Sequence, residues 1–540
     1  MSGKSPKTKP LTVKQATFDL LRAFGIKKVF GNPGSTELPF LSDWPADIDY
    51  VLGLQEASVV GMADGYAQAT RNAGFVNLHS AAGVGNALGN IYTAHRNQTP
   101  LVITAGQQAR SILPLQAFLY AERASEFPRP YVKYSVEPAR PEDVPGAIAR
   151  AYYTAMQPPC GPTFVSIPID DWMHPAQPPL IARKLSRELG PDRAAMDELV
   201  NALNTKKNPA LIVGPGIDRA GCVELMAQVA ERAKAGVWVS PFSARCSFPE
   251  RHPHFQGFLP ASPGQLSEAL KAYDLVVVIG APVFTFHVEG HAAIFDGATA
   301  IYQITDDAEG AAVPPVGTSI VATMRPALSL LLELLPETKR AAPKGRVLPN
   351  APKPADPIPV DYLLHTLSQA LPANSAVVEE APSHRPVMHK FMPMPGADSF
   401  YTMASGGLGY SLPAAVGMAL GRPKDRTICL IGDGSAMYSL QALWTAAQRR
   451  LPMTVVVINN SGYGAMRSFS QVMQVRNVPG LDLPGLDFIK LAQGVGCDAV
   501  RVSKAAELEA ALARGLAHDG TSLVEVMVDS AVPLLYAPKN

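Results

Sequence analysis

Apolar residues along this chain fall in short continuous runs, such as Leu211-Ile-Val213, Leu275-Val-Val-Val-Ile279, Ile428-Cys-Leu-Ile431 and Val455-Val-Val-Ile458. Runs of this length, bounded by Gly, Asn or Pro, predict strands buried on both faces, and the longer segments between them carry helical spacing. Strand and helix signals alternate from about Leu11 to Ile169, again from Ala210 to about Pro336, and again from Val360 onward. In the middle third the predicted strands are 210–214, 236–239, 275–280 and 300–304. The alternation predicts an α/β fold of three parallel-sheet domains. Pro-rich text from His174 to Leu180 and a charged stretch to Arg193 predict a linker. A second connection from Pro336 to Pro359 carries seven prolines. The expected domains are therefore 11–180, 195–336 and 360–532.

Composition narrows the function classes. A chain of 540 residues exceeds what one core supports, so several domains are expected. A net charge of +1, with no basic run carrying interleaved aromatics, argues against nucleic acid as a partner. The five cysteines contain no CxxC pair, which suggests neither a zinc site nor a disulfide framework and fits a reducing compartment. Met1 to Pro10 is basic and polar, without an apolar core, and no later stretch reads as a membrane span. The expectation is a soluble cytoplasmic protein.

Candidate chemistry concentrates where predicted strands end. Thr427-Ile-Cys-Leu-Ile-Gly-Asp-Gly434 places Asp433 at a strand tip, and Met453-Thr-Val-Val-Val-Ile-Asn-Asn460 ends a second strand one crossover later. Either motif alone would be an ordinary turn. Together, followed by Ser461-Gly-Tyr-Gly464, they place a carboxylate, an amide oxygen and a turn carbonyl at one sheet edge. That is a hard oxygen site suited to octahedral Mg2+, with water and a ligand's phosphates completing it.

Glu56 begins an apolar, small-residue helix, where a carboxylate is either a favourable N-terminal charge or a functional group. His79 ends a short strand beside the glycine-rich Ser80-Ala-Ala-Gly83, and Ser35 follows a strand tip and tight turn, where helix capping would also explain it. His287 and His291 have the four-residue spacing of a zinc pair, but Glu289 lies two residues after His287 instead of directly after it, against the metalloprotease pattern. Phe284 and Phe286 are candidates for core. Gly214-Pro-Gly216 follows a strand but lacks the third glycine and the later acidic residue of a dinucleotide fingerprint.

In order, Phe30-Gly-Asn-Pro-Gly-Ser35, Leu54-Gln-Glu-Ala57, Asn77-Leu-His-Ser-Ala-Ala-Gly83, Thr104-Ala-Gly-Gln-Gln108, Ile279-Gly-Ala-Pro-Val-Phe284, Gly406-Gly-Leu-Gly409 and the Asp433–Asn460 clamp span nearly the whole chain. Taken together they resemble the thiamin diphosphate (ThDP)-dependent 2-oxo acid decarboxylases, and among them the benzoylformate decarboxylases. The resemblance implies pyrimidine-binding, central and diphosphate-binding domains. It implies that Asp433 and Asn460 ligate Mg2+ by side chain and Gly462 by its carbonyl. Ser383, Gly434, Ser435 and Tyr463 would meet the diphosphate. The Gly406 carbonyl would hold the cofactor's exocyclic amine, and Leu408 would wedge it into a V shape. Glu56 would bond the pyrimidine ring nitrogen and so promote deprotonation of the thiazolium carbon. Ser35 and His79 would handle the substrate carboxylate and early intermediates, with His287 assisting later proton transfers.

The implied reaction is loss of CO2 from an aryl or branched 2-oxo acid, foremost benzoylformate to benzaldehyde, through a ThDP enamine that is protonated to release the aldehyde. Family members pair the first domain of one subunit with the third domain of another, so a homodimer is the minimum working unit and a tetramer is expected. Thr402 stands where the family pattern has a phenylalanine of the aryl pocket, and Pro382 where it has a threonine near the phosphates. The first leaves more room or polarity beside the substrate, with Leu113, Phe118, Met466 and Phe469 remaining as an apolar wall. The second removes a hydroxyl and a backbone donor, for which Ser383 can compensate. Two alternatives remain open: a ThDP carboligase resembling acetolactate synthase or benzaldehyde lyase, and a non-catalytic ThDP-binding scaffold.

Overall fold

Parallel pairing organises the computed structural model, which describes residues 11–176 and 182–535. Residues 1–10, 177–181 within the first expected linker, and 536–540 lie outside the described residues. Three six-stranded sheets follow one another along the sequence, and every pairing within them is parallel. The first holds β1 (Lys28–Gly31), β2 (Asp49–Leu52), β3 (Gly74–Leu78), β4 (Leu101–Gln107), β5 (Ser135–Val136) and β6 (Pro162–Pro168), in the order β2-β1-β3-β4-β6-β5. The second holds β7 (Pro209–Val213), β8 (Gly236–Val239), β9 (Phe255–Phe258), β10 (Leu275–Ile279), β11 (Ala300–Thr305) and β12 (Thr318–Val321), ordered β12-β11-β10-β7-β8-β9. The third holds β13 (Ala376–Glu380), β14 (Phe400–Thr402), β15 (Thr427–Gly432), β16 (Met453–Asn459), β17 (Asp498–Val502) and β18 (Thr521–Met527), ordered β14-β13-β15-β16-β18-β17. These observations establish the α/β class and the three parallel sheets expected from the hydrophobic pattern. Among the described residues no helix is long and apolar enough to cross a membrane.

The first and third sheets share one strand order, with the reversal between their first and third strands. In open α/β sheets the crevice for ligands opens at the carboxyl end of such a switch point. The middle sheet has the dinucleotide-fold order, yet its Gly214–Gly216 turn is closed. The Gly214 and Gly216 N–H groups donate to Ile279 O and Gly280 O, both at 3.0 Å, so those amides are spent on β10 and its exit.

The chain divides into two compact units, one of residues 1–186, 405–422 and 439–448, the other of the remainder. In the first unit, helix Glu56–Thr70 packs on helix Ser411–Gly421 at backbone distance. A Cβ at Gly65 would stand 2.0 Å from the Ala414 carbonyl oxygen, and one at Gly417 1.9 Å from that of Met62. Only glycine permits this approach, which accounts for the small-residue composition of the Glu56 helix. Buried between the helices, the Tyr410 hydroxyl donates to Asp64 Oδ1 at 2.8 Å and Gln68 Nε2 donates to the same oxygen at 2.6 Å.

In the second unit, residues 244–246 cover the edge of β14. The Thr402 N–H donates to Ala244 O (2.9 Å) and the Cys246 N–H to Phe400 O (3.3 Å), which satisfies an otherwise open strand edge. Arg245, whose side chain is 3% exposed, is the anchor. Its Nε lies 2.6 Å from Asp218 Oδ2, its Nη2 lies 3.2 Å from Asp398 Oδ1, and its guanidinium sits 4.6 Å above the Tyr401 ring. Removing the cation takes the counter-ion from the fully buried Asp218 carboxylate, which keeps the Asp398 N–H at 3.0 Å. Arg245→Met is therefore expected to cost about 3–5 kcal/mol in urea unfolding, with part recovered by adding Asp218→Asn.

Candidate active site

The turn leaving β1 and the residue leaving β3 build one cluster in the first unit. His79 follows β3 directly, and its ring presses against Gly34, where an added Cβ would fall 2.2 Å from Nδ1. Nδ1 lies 3.0 Å from both Thr36 Oγ1 and Glu37 Oε2. Glu37 is 1% exposed. Its Oε2 also accepts the Gly34 N–H at 2.9 Å, and its Oε1 accepts the Thr36 hydroxyl at 2.5 Å. A carboxylate only accepts, so the imidazole hydrogen is held on Nδ1 and the Nε2 lone pair is left for other partners. Glu37, not Ser35, caps this turn. Ser35 is exposed at the start of a short 3-10 turn (Ser35–Glu37), and its hydroxyl makes no hydrogen bond among the described residues, so the capping explanation for it falls away.

Glu56 is the first residue of its helix, just beyond β2, and is 9% exposed. Asn32 Nδ2 donates to Oε1 at 3.1 Å and Asn86 Nδ2 to Oε2 at 3.0 Å. A Cβ on Gly83 would stand 3.3 Å from His79 Cβ and 3.7 Å from Glu56 Oε1, so the two side chains flank a single point. Asn90 Nδ2 donates to Ala57 O (2.7 Å) and Gly409 O (3.3 Å), and Thr93 Oγ1 lies 2.8 Å from Ser405 Oγ. These contacts hold the 405–409 turn, with exposed Gly406 at φ +75° and half-buried Leu408, beside the start of the Glu56 helix.

In the second unit the carboxyl ends of β15 and β16 lie side by side. Asp433 is 2% exposed and receives the Gly434 N–H on Oδ1 and the Gly462 N–H on Oδ2, each at 2.9 Å. Burial pushes its carboxyl pKa up, opposed by those two amides. Asn459 and Asn460 divide their tasks. Asn459 Nδ2 donates to buried Glu525 Oε1 (2.7 Å), whereas the Asn460 carboxamide, in a residue 4% exposed, has no hydrogen bond among the described residues. Arg467 donates to the Asn460 and Ser461 carbonyls at 3.3 and 3.0 Å and fixes the turn. A Cβ on Gly464 would stand 2.6 Å from Asn460 Nδ2 and 2.9 Å from Ser383 Oγ, so the exits of β13 and β16 converge. Gly434 and Ser435 open the short helix Asp433–Ala436, and the Tyr463 ring lies against Gly434.

This donor set fits a hard divalent cation bearing a diphosphate. Each Asp433 oxygen keeps lone-pair capacity, a buried carboxamide is unspent, and among the described residues the Gly462 carbonyl accepts only the Gly464 N–H at 3.0 Å.

Comparison with known proteins supports the thiamin diphosphate part of this reading. The thiamine pyrophosphate enzyme N-terminal binding, central and C-terminal binding domain families match residues 11–124, 196–331 and 381–526. Benzoylformate decarboxylase of Pseudomonas aeruginosa is 41% identical over 97% of this chain and all of its own. The chain belongs to the ThDP-dependent 2-oxo acid decarboxylases. The crystal structure of benzoylformate decarboxylase from Polynucleobacter necessarius superimposes with a TM-score of 0.94 at 42% identity, covering 97% of this chain and all of that one. A 4-hydroxybenzoylformate decarboxylase of Rhodococcus jostii gives 0.93 at 40%, covering 96% and 99%. Acetolactate synthases match at 25–28% identity.

In this decarboxylase His287 lies on an irregular stretch, exposed, with its ring centroid 5.1 Å from that of Phe469 on helix Gly464–Val472, the helix that follows the clamp. His291 is paired with Asp296 at 2.9 Å, and without a helix the four-residue spacing does not put the two histidines on one face. Phe284 and Phe286 pack against the middle-sheet core. Of the expected apolar wall, Leu113 and Phe118 belong to the first unit, where Phe118 is 87% exposed, and Met466 and Phe469 to the second.

Sequence reasoning missed Asn32, Thr36, Glu37 and Asn86, although each lies within the Phe30–Ser35 or Asn77–Gly83 stretch or at most three residues beyond it. It also missed Arg467. Glu37 was readable only as a second acid near a turn, because nothing local announces that His79, more than forty residues on, is its partner. With Glu37→Gln the amide can donate to Nδ1 and move the imidazole hydrogen to Nε2. The expected result is a fall in decarboxylase kcat of about 100-fold with ThDP affinity within 3-fold of wild type, measured by steady-state kinetics and calorimetric titration.

His384, between Ser383 and Arg385, is 3% exposed, and its Nε2 has no hydrogen-bond partner among the described residues. Burial pushes its pKa down to about 4, against the attraction of Glu379. The unfolded chain therefore takes up the proton first. This contribution to stability is complete above pH 6.5 and is lost as pH falls toward 4. Between pH 7 and pH 5 the loss is roughly 2 kcal/mol. Urea unfolding of His384→Leu at the two pH values should show a correspondingly flatter dependence.

Proposed function

We propose that this decarboxylase acts on an aryl or branched 2-oxo acid, foremost benzoylformate, releasing benzaldehyde and CO2 with ThDP and Mg2+ bound. Asp433 and Asn460 side chains and the Gly462 carbonyl hold the metal. Ser383, Gly434, Ser435 and Tyr463 meet the diphosphate. The Gly406 carbonyl and Leu408 hold and shape the pyrimidine end. When bound, the cofactor supplies a carbon centre that accepts the electron pair left by departing CO2.

The chain's own residues position that chemistry and move its protons. Glu56 bonds the pyrimidine ring nitrogen, and Asn32 and Asn86 keep its carboxylate fixed for that contact. His79, with hydrogen on Nδ1, presents the Nε2 lone pair to the substrate region, and Ser35 offers a hydroxyl to the substrate carboxylate. His287 on the Phe469 side carries a later proton. We further take the domains as 11–180, 195–336 and 360–532, the working unit as at least a homodimer and in full a tetramer, and the location as the cytoplasm. The observation that carries this reading is the buried Glu56 carboxylate, held by two side-chain amides next to His79.

Incubation with benzoylformate, phenylpyruvate, pyruvate and branched 2-oxo acids tests it. Aldehyde and CO2 in equal amounts support decarboxylation, whereas a hydroxyketone as main product points to carboligation. Thermal stabilisation by ThDP and Mg2+ without turnover of any oxo acid points to a binding scaffold. Glu56→Ala should bind cofactor and lose kcat by at least about 100-fold. Asp433→Ala should lose the Mg2+-dependent thermal shift given by ThDP.

A further inference from the structure

Between Asn460 and Gly462 stands Ser461 at φ +57°, a left-handed conformation that a side chain disfavours. Its backbone is held on both sides. The Ser461 N–H donates to Asn459 Oδ1 at 2.9 Å, and its carbonyl accepts Arg467 Nη2 at 3.0 Å and the Leu483 N–H at 3.1 Å. Asn459 is itself held from behind, donating Nδ2–H to Glu525 Oε1 at 2.7 Å. Glu525 lies on β18, in register with Val457 of β16 on one side and Arg501 of β17 on the other. Its side chain is fully buried, and its Oε2 accepts Arg501 Nε–H at 2.7 Å. Arg501 Nη2 continues to Asp487 Oδ1 at 3.1 Å, at the surface. Every residue of this chain of bonds belongs to the second unit.

Each link has a fixed direction. A carboxylate only accepts, so Asn459 must turn Nδ2 toward Glu525, which leaves Oδ1 as the acceptor for the Ser461 N–H. A flipped Asn459 would set two donors against each other at Ser461 and two oxygens against each other at Glu525. A buried ion pair contributes little net stability over apolar residues of the same size, so stability alone does not account for Glu525 and Arg501 in this sheet. What the pair does provide is one orientation of the amide beside the clamp.

We propose that Glu525, paired with Arg501 and acting through Asn459, is a positioning residue that sets the Ser461 turn and with it the affinity of the clamp for its divalent cation. This rests on the reading of Asp433, Asn460 and Gly462 as Mg2+ ligands.

The test titrates Mg2+ by calorimetry, at saturating ThDP, into the full-length chain freed of metal by chelation. Glu525→Gln faces the Asn459 and Arg501 donors with a single acceptor oxygen, and the Mg2+ Kd should rise by at least about 10-fold. Adding Asn459→Asp reverses one bond without losing it. The new glutamine amide donates to the new aspartate, whose other oxygen still accepts the Ser461 N–H, and the glutamine oxygen accepts Arg501 Nε–H. The double variant should therefore return to within about 3-fold of the wild-type Kd, or tighter. Urea midpoints of the metal-free chains are measured alongside, since a merely structural role lowers the midpoint of Glu525→Gln and leaves its Mg2+ Kd in place. A smaller rise in the single variant, or a double variant that stays weaker than that limit, overturns the proposal. Where a variant fails to fold, Asn459→Ala, which leaves Glu525 its Arg501 partner, decides by the same limit as the single variant. Asp433→Ala separates this proposal from the reading beneath it. If Asp433→Ala abolishes Mg2+ binding and Glu525→Gln leaves it unchanged, the proposal alone falls. If wild type binds no Mg2+, or Asp433→Ala binds it as wild type does, the clamp reading falls and the proposal with it.

Discussion

Parallel pairing forces every strand of a sheet to exit at the same edge, and the rest of this structure follows from that constraint. Strands such as β10 and β16 are buried along their length, so their sequences are nearly all apolar and polar groups collect at their ends. Asn32, Glu37, Glu56 and His79 all stand at carboxyl ends of the first sheet. Ser383, Arg385, Thr402, Asp433 and Asn460 do so in the third. The two sheets share a strand order, so each repeats the same switch-point crevice. The fold in effect offers one kind of ligand edge twice, furnished with different chemistry.

Carboxylates buried at these edges are stable only because each is answered by donors gathered at the strand exits. An unpaired buried carboxylate would be strongly unfavourable. Glu37 is answered by the Gly34 amide, Thr36 and His79, Glu56 by Asn32 and Asn86, Asp433 by the Gly434 and Gly462 amides, and Glu379 by Arg385. The bonds to Glu37, Glu56 and Asp433 join segments distant in sequence, so satisfying those charges also fixes the relative positions of the side chains. The Asp433 pair ties the tips of β15 and β16 to each other, which is the geometry a diphosphate-bearing cation needs. Away from the edge, Arg245 does similar work by closing the β14 border on which Thr402 sits.

The middle sheet shows how strand order and ligand chemistry separate. Its order is that of dinucleotide-binding folds, and a Gly-Pro-Gly turn follows its first strand, but the turn's amides are consumed by the neighbouring strand's exit. Topology supplies a crevice only where the backbone leaves donors unspent.

The α/β class, the three parallel sheets and the strand tips bearing Asp433, Asn460 and His79 were legible in the sequence, because buried parallel strands leave an unbroken apolar signature and glycine turns mark their ends. Glu56 stood out because a carboxylate is rare at the head of so apolar a helix. Partnerships were not legible. The bond of Glu37 to His79, the division of labour between Asn459 and Asn460, and the bond between the Thr402 hydroxyl and Arg385 depend on contacts between segments that the linear order does not bring together. Local pattern alone thus determined which residues form strands and where polar groups must emerge, since burial and turn geometry act on neighbours along the chain. Only the tertiary structure decided which emerging groups meet, because hydrogen-bond satisfaction of buried charge is settled between strand exits tens to hundreds of residues apart.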